Sequence, residues 1–470
     1  MKSRFGILAS FIFLIPLVGF SQGYYNQENF GNRSLLLSGN VTGSVDDLGL
    51  TYYNPARIAL IEEPVFSINA KAYQVSNLSL KNIFGRDNKL GDTRFEGVPS
   101  LLAGTFKIDK WEKHHFAYAF LSKKRSQLNI TAVDEVTEGD IVDENDDLDR
   151  LASSFEFLSR ETDEWFGMSW GMKLKDNFSV GVSAFISVYN RRGTYDLKLA
   201  ALDQIQDVDF YFNDVNFSQS SYGMFWKVGL AWQLKNFNFG LNIDLPYLEV
   251  IKSGKFRYGE FLSGLGGGDD IYNFGDLDGL ESNRKEPFAV SLGAGIPWKK
   301  NTIHVKVDWH GAVSEYDRLV IPVIDDGLGE TEEFRFKEEL KSVVNFGLGL
   351  EFYLTETMNL FASFSTDFSP IETNANIFDL VGNPDRDVNI EADYIHYGLG
   401  VDFKFKRANI TIGTTYSSSR DVFDRAIDFP DPDDPDPPFV NEDPSEIRFT
   451  RWRFIVGLEF PIFGYEVNLR

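Results

Sequence analysis

Four residue patterns in this 470-residue chain could do chemistry. Gly167-Met168-Ser169-Trp170-Gly171 fits the G-x-S-x-G of serine hydrolases. That pattern works when the serine stands on a sharp strand-to-helix turn that exposes its hydroxyl. Here it lies inside an alternating apolar/polar run, which predicts strand on both sides and no elbow. Asp143-Glu144-Asn145-Asp146-Asp147-Leu148-Asp149 begins like a calcium loop, but Leu148 stands where glycine is required and Ser154 where the closing glutamate belongs. Gly264-Leu265-Gly266-Gly267-Gly268 is followed by Asp269-Asp270 instead of Lys-Ser/Thr, so it reads as a loop tip and not a phosphate cradle. His304, Asp308 and His310 share one strand face, which reads as polar lining ahead of metal binding. The sequence therefore predicts no catalytic residue, no metal site and no cofactor.

The elements that would position such residues follow from composition and period. The chain has 46 Lys+Arg against 70 Asp+Glu, a formal charge of −24, and no cysteine. Disulfides, thiolate metal sites and cysteine nucleophiles are excluded. The acidic balance argues against a nucleic-acid partner, which needs basic surface. A hydrophobic fraction of 43% excludes wholesale disorder. Residues 1–21 carry Lys2 and Arg4, then an apolar run to Phe20, with Gly19 and Ser21 as small residues at cleavage positions. That reads as a secretory signal peptide, with the mature chain starting near Gln22 or Gly23. No later stretch is apolar enough for a membrane helix, so the exported chain is soluble or spans as strands.

From about Val65 the period is two. Phe178, Val180, Val182, Ala184, Ile186 and Val188 alternate with Ser179, Gly181, Ser183, Phe185 and Ser187. Phe346, Leu348, Leu350, Phe352 and Leu354 alternate with Asn345, Gly347, Gly349, Glu351 and Tyr353. One face is greasy and the other polar or glycine, as a barrel needs when it faces lipid outside and water inside. Short turns near Asp109–Lys113, Lys175–Asn177, Lys235–Asn236, Trp298–Asn301, Thr355–Met358 and Lys406–Asn409 each join two such runs. Between these hairpins lie long polar stretches, among them 123–163, 190–221, 246–286 and 311–341, which read as extracellular loops. Six hairpins, a leading strand near Val65 and a closing strand near Ile447 predict an all-β, 14-stranded antiparallel transmembrane β-barrel over residues 64–470. Trp165, Trp170, Tyr189, Tyr222, Trp226, Trp232, Trp298, Trp309, Tyr353 and Trp452 are candidates for aromatic girdles at the two interfaces.

Residues 22–63 do not alternate. They contain Gly43-Ser44-Val45-Asp46-Asp47-Leu48-Gly49-Leu50-Thr51-Tyr52-Tyr53-Asn54-Pro55-Ala56. Pro55 fixes φ and biases Asn54 away from helix, leaving the Asn54 side chain free to bond neighbouring backbone. This run resembles the N-terminal hatch of the FadL/TodX outer-membrane transport family. The resemblance implies that 22–63 is a plug inside the barrel, with Asp46, Asp47, Asn54, Pro55 and Ala56 as its motif. It implies an outer-membrane location and passive transport of hydrophobic small molecules such as long-chain fatty acids or hydrocarbons. It also implies a hydrophobic capture groove, for which the candidates are Phe210, Tyr211, Phe212, Phe217, Tyr247, Phe256, Phe261, Leu262, Tyr272 and Phe274. Release sideways through the wall is a further implication. The expected partners are outer-membrane lipids and a hydrophobic ligand. The rival reading is a barrel of this type serving as a protein-partner or scaffold component of a secretion or surface-attachment system.

Overall fold

A chain that buries one face in lipid and wets the other must pair every backbone group, and a closed antiparallel sheet does so. The computed structural model describes residues 25–44, 46–81, 88–94, 99–136, 148–203, 208–263, 271–325, 331–371, 392–423 and 445–461. The expected signal peptide, the start of the calcium-like run, the 264–268 glycines and most of residues 421–446, which hold ten Asp and Glu, lie outside them. The strands form one closed wall of fourteen antiparallel staves. Val65–Lys81 closes on the last strand, Ser445–Pro461, from Val65↔Pro461 to Lys81↔Glu446. The second stave is split into Asn88–Arg94 and Pro99–Lys107, both paired to the first. The seventh is split into Asn238–Asp244 and Leu248–Ser263, and the eighth into Ile271–Leu280 and Ala289–Trp298. The short turns fall at the six expected positions.

The outer face carries an apolar belt. Phe288, Leu292, Ile296 and Trp298 are exposed on one stave, and Val344, Phe346 and Leu348 on another. From Phe288 to Trp298 the chain advances about 33 Å, which at a tilt of about 45° crosses about 23 Å, near the height of a barrel's lipid-facing band. Tyr222, Trp226, Trp298, Trp309 and Trp452 are exposed on this outer surface. Trp165 and Tyr189 are not girdle residues: both are buried toward the bore. No helix among the described residues is long and apolar enough to cross a membrane.

Much of what reads as loop in the sequence is strand. Leu148–Lys175 runs for 28 residues, and Phe178–Asp203 and Val208–Gln233 for 26 each. They continue the wall beyond the apolar belt, where the apolar residues change face: Phe166 and Met168 point outward within the belt, and Phe155 and Phe157 on the same strand are buried inward above it. The outward greasy face that marks a lipid-facing strand ends there, while the backbone ladder continues. Part of 313–340 is also strand: Val313–Leu319 pairs with Phe336–Leu340 in a separate hairpin.

Candidate functional site

Two inward elements enclose the site. The lower one is the segment 25–60, whose backbone makes three short helical turns, Arg33–Leu36, Leu50–Tyr53 and Pro55–Leu60. It has few apolar residues, so polar cross-ties hold it. Asp47 is buried and accepts from Ser34 N (2.8 Å), Ser34 Oγ (2.7 Å) and Gly49 N (3.0 Å). Gly31 adopts φ +91° with that carboxylate packed where a side chain would sit, a conformation and a space that glycine alone suits. Asp46, more exposed, pairs with Arg33 at 2.9 Å. The Asn54 amide donates to the carbonyls of Thr42 (2.8 Å) and Leu230 (3.0 Å), and its oxygen accepts from Ala56 N (3.1 Å). Pro55 opens the last turn, and both Pro55 and Ala56 are buried.

The wall receives this segment on glycines. At Gly181 an added Cβ would stand 2.4 Å from the Pro55 carbonyl carbon and 2.5 Å from Ala56 N. At Gly240 it would stand 2.1 Å from the Thr42 oxygen. Gly171, Gly181 and Gly229 are direct cross-strand neighbours, so they form one row of the inner face. Polar ties complete the seat. Ser183 Oγ donates to Thr51 O (2.7 Å), and Asp367 accepts from Tyr25 N (2.9 Å) and Asn26 N (3.0 Å). Glu28 pairs with Arg453 and lies 3.9 Å from Arg451.

The hydrolase-like and metal-like residues belong to this seat. Ser169 is buried in a strand and bonds Ser183 Oγ at 2.7 Å. His304 Nδ1 meets Ser44 Oγ at 2.7 Å, Asp308 pairs with Lys306 at 2.6 Å, and His310 stacks on Tyr25 at 3.8 Å. The three strand-face residues therefore tie separate partners.

The upper element is the 313–340 hairpin, folded against the inner faces of the tall staves. Phe336 packs on Phe217 (4.7 Å between ring centroids), and Phe334 on Phe256 (5.0 Å) and Tyr258 (4.4 Å). Arg318 is buried there, bonded to Gln219 Oε1 at 2.7 Å and stacked over Phe217 at 4.9 Å. No sequence period marks this hairpin.

Between the two lies a cavity of about 150 Å³, reached by Tyr25 and Tyr52 from below and by Tyr316, Arg318 and Glu338 from above. Its walls are charged. Arg284 bonds Asp163 (2.7 Å) and Glu286 (2.8 Å) and stacks over Tyr189 at 4.2 Å and Tyr247 at 4.8 Å. Asp163 is 1% exposed, so its carboxylate is buried against Arg284. Lys227 bonds Asp244 (2.6 Å) and lies 4.0 Å over the Tyr52 ring; Lys124 bonds Glu161 (2.7 Å). Trp165 and Phe225 stack at 4.1 Å. Sequence reasoning missed Arg284, because it lies in a stretch without period.

The wall has a slot beside the cavity. Between the seventh and eighth staves, pairing stops at Asp244↔Ala289 and resumes at Gly254↔Leu280. Trp226 and Leu245, exposed on the outer surface, and Pro287 line the cavity at this slot.

The candidate groove residues divide between faces and do not form one surface. Phe217 and Phe256 pack inward under the hairpin, and Tyr247 is buried against Phe225 at 4.7 Å. Tyr211 bonds Glu260, and Leu262 pairs opposite Ile271 and Tyr211. On the outer face of the tall wall, Lys198, Phe212, Phe261 and Tyr272 oppose one another in turn across four strands. Phe210 lies 6.3 Å from Phe261, and Phe274 5.7 Å from Tyr272. Tyr272 and Phe274 are 66% and 68% exposed. The Lys255–Asp278 and Arg257–Asp276 ion pairs separate this aromatic row from the lipid belt.

No family model matches the chain, and no curated protein matches it. Solved structures do. The Pseudomonas putida toluene transporter TodX superposes with a TM-score of 0.58 at 12% identity, over 94% of this chain and 100% of that one. A Pseudomonas aeruginosa FadL homologue gives 0.53 at 11% identity, over 93% and 100%. The Ralstonia pickettii toluene transporter TbuX gives 0.52 at 12% identity, over 93% and 100%. At these identities the likeness is one of fold.

Proposed function

We propose that this chain, which has the FadL/TodX barrel fold, is a passive channel of the Gram-negative outer membrane for small hydrophobic molecules. In this reading 1–21 is a removed signal peptide, 22–63 is a plug, and 64–470 is the barrel. The cavity carries the reading: it is bounded below by the plug segment and above by the 313–340 hairpin, and it meets a slot in the wall. A molecule admitted past the hairpin finds the downward route filled by 25–60 and leaves sideways between Trp226, Leu245 and Pro287. Most of the wall charges are already paired to one another, so a ring sliding across Trp165, Phe225 and Tyr52 leaves those charges their partners. A cavity of this size suits a single ring: about 150 Å³ is enough for benzene. Two of the similar structures are toluene transporters, which is consistent with that scale. No group with a nucleophile–base–orienter arrangement opens on the cavity among the described residues, and the reading assigns no catalysis.

Cells that carry the protein are expected to accumulate radiolabelled toluene several-fold faster than cells lacking it, with glucose uptake unchanged. Equal toluene rates in the two strains would reject the transport reading.

A further inference from the structure

The walls of the cavity do not balance. Seven Lys and Arg side chains line it against six Asp and Glu, in a chain whose overall charge is −24. Arg284, Lys227 and Lys124 have carboxylate partners within 3 Å. Lys123 has none among the described residues. Its Nζ donates to the Tyr25 carbonyl at 3.0 Å and lies 5.0 Å over the Tyr52 ring, which leaves it unused donors. Lys285 also lacks a carboxylate, but it is exposed and water meets its charge.

Lys123 reaches the cavity through a local device. The ladder between the third and fourth staves runs Ser122↔Glu164 and then Lys124↔Asp163, so Lys123 is the extra residue of a β-bulge. Without the bulge, Lys123 and Lys124 would point to opposite faces. With it, both line the cavity.

A second observation is independent of charge. Trp165 is 4% exposed, lines the cavity, and its indole N–H has no hydrogen-bond partner among the described residues. The Tyr25 hydroxyl, also on the cavity, is likewise unpartnered. Indole N–H and ammonium are donors only. A buried donor left without a partner is costly, so the groups facing this space call for an acceptor. A hydrocarbon supplies none.

We infer that the cavity takes a compact ring-bearing organic anion, with its carboxylate at Lys123 and its ring against Tyr52, Trp165 and Phe225. The volume of about 150 Å³ admits one ring. This assignment rests on the proposed transport function, since it names the ligand class of the same cavity. The charge sets the preference: a carboxylate answers the ammonium and the spare donors together, and a neutral ring answers neither.

The test uses the purified full-length mature protein in detergent, titrated calorimetrically with sodium benzoate, benzyl alcohol and toluene. Benzoate is expected to bind at least tenfold more tightly than benzyl alcohol. Lys123→Met should weaken benzoate tenfold or more and leave toluene within twofold, and Lys123→Arg, which keeps the charge, should retain benzoate binding. Equal binding of benzoate and benzyl alcohol, unmoved by Lys123→Met while cells still take up toluene, overturns the anion assignment and leaves the transport reading standing. Absence of binding by every ring compound, together with absence of uptake in cells, overturns both.

Discussion

Deleting residues 22–60 is expected to turn a closed barrel into an open pore. Purified wild-type protein in a planar bilayer should pass almost no ion current, and the deletion variant should conduct roughly tenfold more or better, because a bore of fourteen strands is wide enough for water once its filling is gone. The reason lies in what the segment occupies. Asn54, Thr51, Tyr25 and Glu28 each bond the inner wall directly. The lipid-facing belt and the closing pairs from Val65↔Pro461 upward do not involve residues 22–60, so the barrel should still insert. Current indistinguishable from wild type in a correctly inserted deletion variant would show that the segment does not occlude.

The second large effect comes from a single atom position. Gly181→Leu should evict the segment while leaving the wall intact. The added Cβ would stand 2.4 Å from backbone of Pro55, and backbone in a short turn held by Asn54 cannot yield as a flexible side chain would. Within the strand itself leucine is no burden, since glycine is the weaker strand residue. Two readouts should therefore part company. Limited proteolysis should cut between residues 25 and 60 in the variant and not in wild type, and bilayer current should rise toward that of the deletion. Thermal unfolding of the barrel should stay within a few degrees. A variant with wild-type protease resistance and current would mean that the segment does not depend on that seat.

How far the sequence alone carries differs by level. The fourteen staves and the six short turns follow from period two, because lipid on one face and water on the other leave a strong alternation between Val65 and Phe460. The tall continuation of Leu148–Asp203 does not follow, since above the belt the apolar residues move from the outer to the inner face, from Phe166 and Met168 to Phe155 and Phe157, and the outward greasy pattern ends. Gly181 reads on the polar face of its run, but its role as a seat, with Gly171, Gly229 and Gly240, depends on which distant segment approaches them. Asn54 was legible as a backbone tie because proline follows it. Its bond to Leu230, 176 residues away, was not. Arg284 and Lys123 were silent for a related reason. One sits in a break between strands, and the other faces the bore only because a bulge inserts an extra residue. The capture groove shows the cost of treating strand as loop. Residues adjacent in sequence, such as Phe261 and Leu262, fall on opposite faces once they alternate.

Transport with this ligand requires a small molecule to sit between the segment 25–60 and the 313–340 hairpin. An experimental map of the protein with benzoate is the most direct measurement of that. Density is expected for one ring beside Trp165 and Phe225, its carboxylate within hydrogen-bond distance of Lys123 Nζ, and the segment 25–60 still seated below. A map with the bore clear of that segment, or with ligand only on the outer belt and the cavity empty at saturating benzoate, would contradict it.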